Sequence, residues 1–216
     1  MALTPRGPRI FRGALVTVDP SNPMPSVVAF QYNPSTLRRR LEPQLVGGEE
    51  NDRSQAVRFM GAPVQTIEVE IEVDGTDGLE QNDPVVLQYG IQPQLAALEL
   101  LVYPALADIQ NRQALLSTGI IEVAPLTAPE TLFVWGVRRV LPVRLQNLTV
   151  TEEAFDSQLN PIRATVALEM RVLNYSDLAV SNDGYNQFMA YQQKMEAIQS
   201  IAFTSNAVSV IGVDVG

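Results

Sequence analysis

Two stretches alternate apolar and polar residues so regularly that each reads as a strand with one buried face. In residues 64–73, Ile67, Val69, Ile71 and Val73 share one side, while Glu68, Glu70 and Glu72 share the other. In residues 163–173, Ala164, Val166, Leu168, Met170 and Val172 point one way, and Arg163, Thr165, Ala167, Glu169 and Arg171 the other. A period of two is what a pleated strand needs when one face meets a core and the other meets water. Looser strand patterns occupy residues 10–19, 27–32, 37–46, 120–123, 132–135 and 137–150. In the last of these, Val143 and Leu145 differ in parity from Leu148 and Val150, so a β-bulge is expected near Gln146 or Asn147.

Helical spacing appears in two places. Pro84 opens a helical region and Pro93 restarts it at a first-turn position, with Leu95, Leu98, Leu101 and Val102 following. Pro104 ends that run, and residues 105–116 read as a further short helix stopped near Gly119. Towards the C-terminus, Asp183 can cap a helix whose apolar stripe is Tyr185, Phe188, Met189, Met195, Ile198 and Ile201, with Gln187, Gln192, Gln193 and Lys194 largely opposite. Residues 207–216 are small and β-branched, suiting a short strand or an exchanged arm. Strands, one helical block, strands and a terminal helix predict an α+β fold, an antiparallel sandwich or barrel with helix packed across one side or edge. The expected division is a β-rich domain over residues 1–175 with a helical insertion at 84–118, then a helix and tail over 176–216.

Composition narrows the chemistry. At 216 residues, one domain can bury roughly 70% of its unfolded surface without staples. Cysteine and histidine are both absent. Disulfides, thiolate sites and the commonest neutral-pH base and metal ligand are therefore excluded. The balance of 15 basic and 24 acidic residues gives a net charge of -9, which argues against nucleic acid as the main partner. Lys194 is the only lysine. Arginine carries the rest of the positive charge, and its planar fork suits carboxylate pairing at interfaces. No secretory signal and no bilayer-length apolar run is read, so synthesis and folding in the cytoplasm, without membrane insertion, are expected.

The stretch 27–43 combines a strand, an Asn33-Pro34 corner and a second strand carrying Arg38, Arg39 and Arg40. Proline fixes its own φ and moves the preceding residue out of the α region, so the corner is set locally. Phe30-Gln31-Tyr32-Asn33-Pro34-Ser35-Thr36-Leu37 resembles the opening signature of tube-type proteins of contractile injection systems, which are phage-tail-like particles, and most of all the tube-to-baseplate adaptors. A second match follows in order: Phe133-Val134-Trp135-Gly136, then Phe155-Asp156-Ser157-Gln158-Leu159-Asn160-Pro161-Ile162-Arg163-Ala164. The resemblance implies a β-barrel-like core and helix in a hexameric ring, with a structural role and no catalysis. It further implies inner-tube, spike and baseplate proteins as partners. Many adaptor-type relatives carry a C-terminal LysM module, and the segment after Leu173 reads only as a helix and tail. The main tube protein of the same particle is therefore the alternative.

The charged clusters fit that role. Glu68, Glu70 and Glu72 are about 6–7 Å apart along one strand face. This spacing admits acid/base chemistry with Asp74 or Glu169, as in a glycoside hydrolase. An acidic strand face opposite Arg38 and Arg40, or one lining a channel or ring interface, explains the same pattern without chemistry. Arg138 and Arg139 form a second basic cluster, expected on a strand, and both clusters suit the acidic face of a neighbouring subunit. Asp74, Asp77, Glu80 and Asp83 crowd a Gly-containing loop but lack EF-hand spacing. No phosphate loop, nucleophile elbow or dinucleotide fingerprint occurs. No cofactor and no metal are expected, and loops 47–61 and 74–83 are candidates to reach adjacent layers of an assembly.

Overall fold

The computed structural model describes residues 12–19, 22–46, 58–118 and 130–211. In chain order the elements are strands β1 (Ala14–Asp19), β2 (Asn22–Ala29), β3 (Leu37–Glu42), β4 (Leu45–Val46), β5 (Arg58–Phe59) and β6 (Val64–Asp74), then helices α1 (Thr76–Glu80), α2 (Pro84–Tyr89), α3 (Gln92–Glu99) and α4 (Leu106–Ser117). Strands β7 (Glu130–Val134), β8 (Val140–Phe155) and β9 (Pro161–Val172) and helix α5 (Asp183–Ile211) complete the chain. The α+β expectation is met. Its antiparallel sandwich or barrel takes the form of one seven-stranded sheet in the order β2-β1-β7-β8-β9-β6-β3, with β4 and β5 as a separate two-stranded ribbon.

The order explains the curl of the sheet. β2 and β3 are consecutive in sequence yet lie at opposite ends of the sheet. The link 30–36 can span at most about 29 Å when fully extended, and a flat sheet of this width would separate its ends by about the same distance. The link is bent at the Asn33-Pro34 corner, so the sheet must roll its ends towards each other. The two regular alternations face the enclosed side: Ile67, Ala164, Val166 and Met170 are fully buried, and Val69, Ile71, Leu168 and Val172 nearly so. They join Leu15, Phe133, Leu141 and Val143 from the other strands. Ile91, Leu95 and Leu98 from the helical block and Phe188 and Tyr191 from α5 complete the core.

The β-bulge in β8 is present, since the β8–β9 register jumps between Leu145 and Asn147. Pro84 and Pro93 each start a helix as read, and Asp83 caps α2 by accepting from the Val85 amide at 2.8 Å. Other boundaries differ from the expectation for identifiable reasons. The strand expected at 27–32 ends at Ala29 and begins at Asn22. Its prolines at 23 and 25 are tolerated because β2 is an edge strand, where missing donors face outward. The strand expected at 37–46 breaks after Glu42, where Pro43 removes a donor, and Leu45 and Val46 pair instead with Phe59 and Arg58. The loop expected at 74–83 contains the short helix α1.

Arg138 and Arg139 lie in the turn between β7 and β8, not on a strand. The Trp135 amide closes that turn on the Arg139 carbonyl at 2.7 Å, with Gly136 at φ 70°. Asn182 rather than Asp183 caps α5, its side-chain oxygen accepting from the Gly184 amide at 2.7 Å. The helix continues to Ile211 where a strand or arm was expected from 207. Residues 47–57, Gly119, 120–123 and 212–216 lie outside the described residues.

Candidate assembly surface

The two sequence motifs meet in space although more than 100 residues separate them. Phe30 packs on Phe133 with ring centroids 6.5 Å apart, and Phe133 stacks on Trp135 at 5.9 Å. Gly13 is the floor of this cluster: a Cβ there would lie 2.6 Å from Phe30 Cδ2 and 2.9 Å from Trp135 Cε3. The Asn33 side-chain oxygen accepts from the Gly13 amide at 2.8 Å, so the corner asparagine fastens β1 as well as turning the chain.

A second junction forms at Asp74, the last residue of β6. The Gln31 carboxamide accepts from the Asp74 amide at 2.9 Å and donates to its carbonyl at 2.8 Å. The side chain imitates a peptide group and pairs with a stretch of β6 that β3 does not reach, bringing the β2 end of the sheet to β6. Arg163, from the second motif, grips the Asp74 carboxylate through Nε at 3.0 Å and Nη2 at 2.9 Å. The Thr76 hydroxyl bonds to that carboxylate too, and with Arg163 it holds the carboxyl below its ordinary value despite partial desolvation. The intervening turn is equally fixed. Asp156 accepts from the amides of Gln158 and Asn160 and from the Asn160 carboxamide, and its carboxyl is lowered chiefly by Asn160. The Ile162 and Pro161 carbonyls receive the Gly75 and Ile91 amides, each at 2.8 Å, which tie the helical block to the same corner.

Register assigns the charged residues to faces, since directly opposed residues in an antiparallel pair share a side. Arg38, Glu68, Glu169 and Asn147 form one row across β3, β6, β9 and β8 on the solvent face, and Arg40, Thr66, Arg171 and Arg144 form the next. Glu70 and Glu72 follow on the same face opposite Ala167 and Thr165. The face is therefore divided along the strands into a basic end and an acidic end. A trough of about 460 Å³ lies across it, lined by Thr36, Arg38, Glu68, Glu70, Asn147 and Glu169 among others. Arg39 departs from its neighbours. It shares the row of Ile67 and Met170 on the core side and reaches the Tyr191 hydroxyl of α5 at 3.2 Å.

Glu68 and Glu169 oppose each other directly, an arrangement that is destabilising in an isolated sheet. The described residues contain ion pairs from Arg40 to Glu42, from Arg163 to Glu72 and Asp74, and from Arg171 to Asp177. For the acid/base reading, a catalytic acid needs a raised pKa, whereas Asp74 is held ionised. The loop carboxylates are divided between an ion pair at Asp74 and a helix cap at Asp83. Among the described residues, no cluster of three or more ligands of metal-binding type occurs, and no helix is long and apolar enough to cross a membrane.

Two further surfaces are unfinished among the described residues. The β4–β5 ribbon stands apart from the sheet, with Phe59 79% and Met60 71% exposed. Beyond Tyr191 the stripe of α5 leaves the core, and Met195, Ile198 and Ile201 are exposed.

Sequence reading missed the joint role of Gln31, Asp74 and Arg163 and the partnership of Arg39 with Tyr191.

No family model and no curated protein matches the chain. Among solved structures it is similar to a chain in the tail of an empty gene transfer agent particle with C6 symmetry, at 12% identity and a TM-score of 0.29, over 74% of this chain and 90% of that one. It is also similar to a chain of a native gene transfer agent virion, at 11% identity and a TM-score of 0.28, with the same coverage of 74% and 90%. A third match is a chain of the six-fold symmetrised anti-feeding prophage baseplate, at 13% identity and a TM-score of 0.29, over 78% and 93% of the two chains.

Proposed function

We propose that the chain is a structural subunit of a contractile, phage-tail-like injection particle, forming a six-fold ring that links the inner tube to the spike and baseplate. It binds copies of itself, inner-tube proteins and spike or baseplate proteins. It carries no catalytic step, and assembles in a bacterial cytoplasm. The observation that carries this reading is the end strand β3, whose outer edge is unpaired among the described residues, in a sheet segment β8-β9-β6-β3 with an apolar face on its own core and a polar face in solvent. Exposed strand edges are normally blunted or covered because they template pairing with another chain.

The motif resemblance supports the same reading, since its residues build the two junctions that hold the sheet in its curled form. Glu68, Glu70, Glu72 and Glu169 would then lie on the ring's polar wall, with the β4–β5 ribbon and the exposed end of α5 available to adjacent layers. Arg138 and Arg139, at the tip of the β7–β8 turn, would meet acidic groups of a neighbour. Negative-stain electron microscopy of the purified chain, alone and with the tube and spike proteins encoded beside its gene, tests the proposal. Six-fold rings, or caps on one end of a tube, are the expected result, and incorporation along the whole tube would identify the main tube protein instead. A monomer that joins no particle would overturn the assembly reading.

A further inference from the structure

The turn between β7 and β8 and a cavity beside the start of α5 complement each other in shape and charge. The turn is fixed: the Trp135 amide donates to the Arg139 carbonyl at 2.7 Å, Gly136 takes a φ of 70°, and Trp135 stacks on Phe133 behind it. At its tip Val137 is 70% exposed, with Arg138 exposed and Arg139 half-buried. A single exposed valine is ordinary on a protein surface. This one stands beside two arginines that have no carboxylate within ion-pairing distance among the described residues. An apolar tip flanked by two such guanidinium groups suits a hollow with an apolar floor and an acidic rim.

The same chain carries such a hollow. A cavity of about 410 Å³ lies between β7, β8 and the first turns of α5, within the range of about 300–1,000 Å³ typical of ligand sites. Leu132, Pro142, Leu173 and Leu178 supply its apolar part, and Glu130 and Asp183 its carboxylates. Gly184 lets α5 close on that floor, since a Cβ there would lie 3.0 Å from Leu178 Cδ1 and 3.2 Å from Pro142 Cβ. The Asn182 carboxamide donates to Glu130 Oε1 and so holds that carboxylate at the helix start. Neither Glu130 nor Asp183 enters an ion pair among the described residues. Arg144 also lines the cavity, and its charge directs incoming arginines to the side of Glu130 and Asp183.

The tip cannot enter the cavity of its own chain. Leu132 and Pro142 oppose each other on the hairpin that the turn closes, and from Leu132 the strand runs away towards the tip at about 3.3 Å per residue. The two patches therefore fit each other only between copies. Such a contact is heterologous, and it closes into a ring or continues as a filament.

We infer that the β7–β8 turn of one copy docks in this cavity of the next, with Val137 on the apolar floor and Arg138 and Arg139 paired with Glu130 and Asp183. The arginine stems can lie along the apolar walls while their heads reach the carboxylates. The inference rests on the ring reading above and names a contact within it.

The absence of cysteine permits a direct test in the full chain. Val137→Cys is combined with Leu178→Cys at the cavity and, as a control, with Val85→Cys, which is exposed on α2. Treating assembled material with a short bis-maleimide is expected to give a ladder of covalent oligomers ending at the closed ring from the first pair, and at least tenfold less product from the control. Arg138→Glu with Arg139→Glu should reduce assembly at least tenfold in sedimentation velocity, and adding Glu130→Arg with Asp183→Arg should restore it. Circular dichroism shows whether each variant is folded. Val137→Asp, confined to the exposed tip, should reduce assembly as well and serves if the cavity variants do not fold. Rings that form without Val137–Leu178 cross-links, or that are indifferent to the loss of both arginines, overturn the contact while leaving the ring standing. Cross-linking of Val137→Cys only to an added tube or baseplate protein overturns it too. If the unmodified chain forms neither rings nor caps, the ring reading fails and the contact falls with it.

Discussion

At the residue scale, Asp74 joins three parts of the molecule: Gln31 holds its backbone, and Arg163 and Thr76 hold its carboxylate. Because its carboxyl titrates below the ordinary 3.8 in the folded chain, the linkage has a definite sign. The folded state binds fewer protons there than the unfolded state, so the extra stability is fully present above the unfolded value and is lost as pH falls through the folded one. Asp156 contributes in the same direction. Asp74→Asn removes the charge while leaving the backbone pairing to Gln31 available. It should cost about 1 kcal/mol at pH 7, a modest figure because Arg163 is partly exposed and the pair is screened. Urea unfolding at pH 7, 5 and 3 would show the gap between wild type and variant closing towards the lowest pH. A gap independent of pH would mean that the carboxylate's charge has no part in the junction. The glutamines and asparagines of this region are much harder to read from sequence than its carboxylates. Gln31 stands in a recognisable motif, but its role depends on a main-chain group 43 positions away.

At the element scale, helix α5 changes character along its length. Its first part, capped by Asn182, buries Phe188 and Tyr191, whereas Met195, Ile198 and Ile201 continue the stripe into solvent. The two parts should respond differently to substitution. Asn182→Ala removes the cap and should cost about 1 kcal/mol in thermal or urea unfolding. Met195→Glu with Ile198→Glu touches no core and should stay within about 0.5 kcal/mol of wild type, yet reduce incorporation into particles if this surface is covered there. Strong destabilisation by the second pair would show that the exposed stripe is packed in the isolated chain. The apolar spacing of this helix was legible in the sequence because period is a local property. Its division into buried and exposed halves was not, because that depends on where the sheet ends beneath it. The same contrast runs through the strands. β6, β9 and the β8 bulge follow from alternation alone, while the separation of Arg39 from Arg38 and Arg40 acquires meaning only when β3 is seen as an edge and Tyr191 arrives from α5. The turn carrying Arg138 and Arg139 read as strand because Val137 and Val140 flank it, and Gly136 with its positive φ decided otherwise.

At the scale of the whole molecule, two electrostatic effects oppose each other. Each chain carries a net charge of -9, and closing a ring brings several such charges together, with the rows of Glu68, Glu70, Glu72 and Glu169 on one polar face. That repulsion acts over distances comparable with the subunit and is carried by exposed groups, so salt weakens it strongly. The Debye length falls from about 30 Å at 0.01 M to about 8 Å at 0.15 M. Ion pairs across a subunit joint act over a few ångströms, inside that length at both salt concentrations, and the backbone bonds of paired edges are almost insensitive to salt. Raising sodium chloride from about 0.01 to about 0.15 M should therefore promote ring assembly. Sedimentation velocity across this range measures the effect, and a shift from monomer towards ring is expected. If rings of the unmodified chain dissociate over this range, short-range attraction between opposite charges outweighs the repulsion of the acidic faces. In that event the glutamate rows must be neutralised across the interface, so their partners would be sought among the arginines of the adjacent copy.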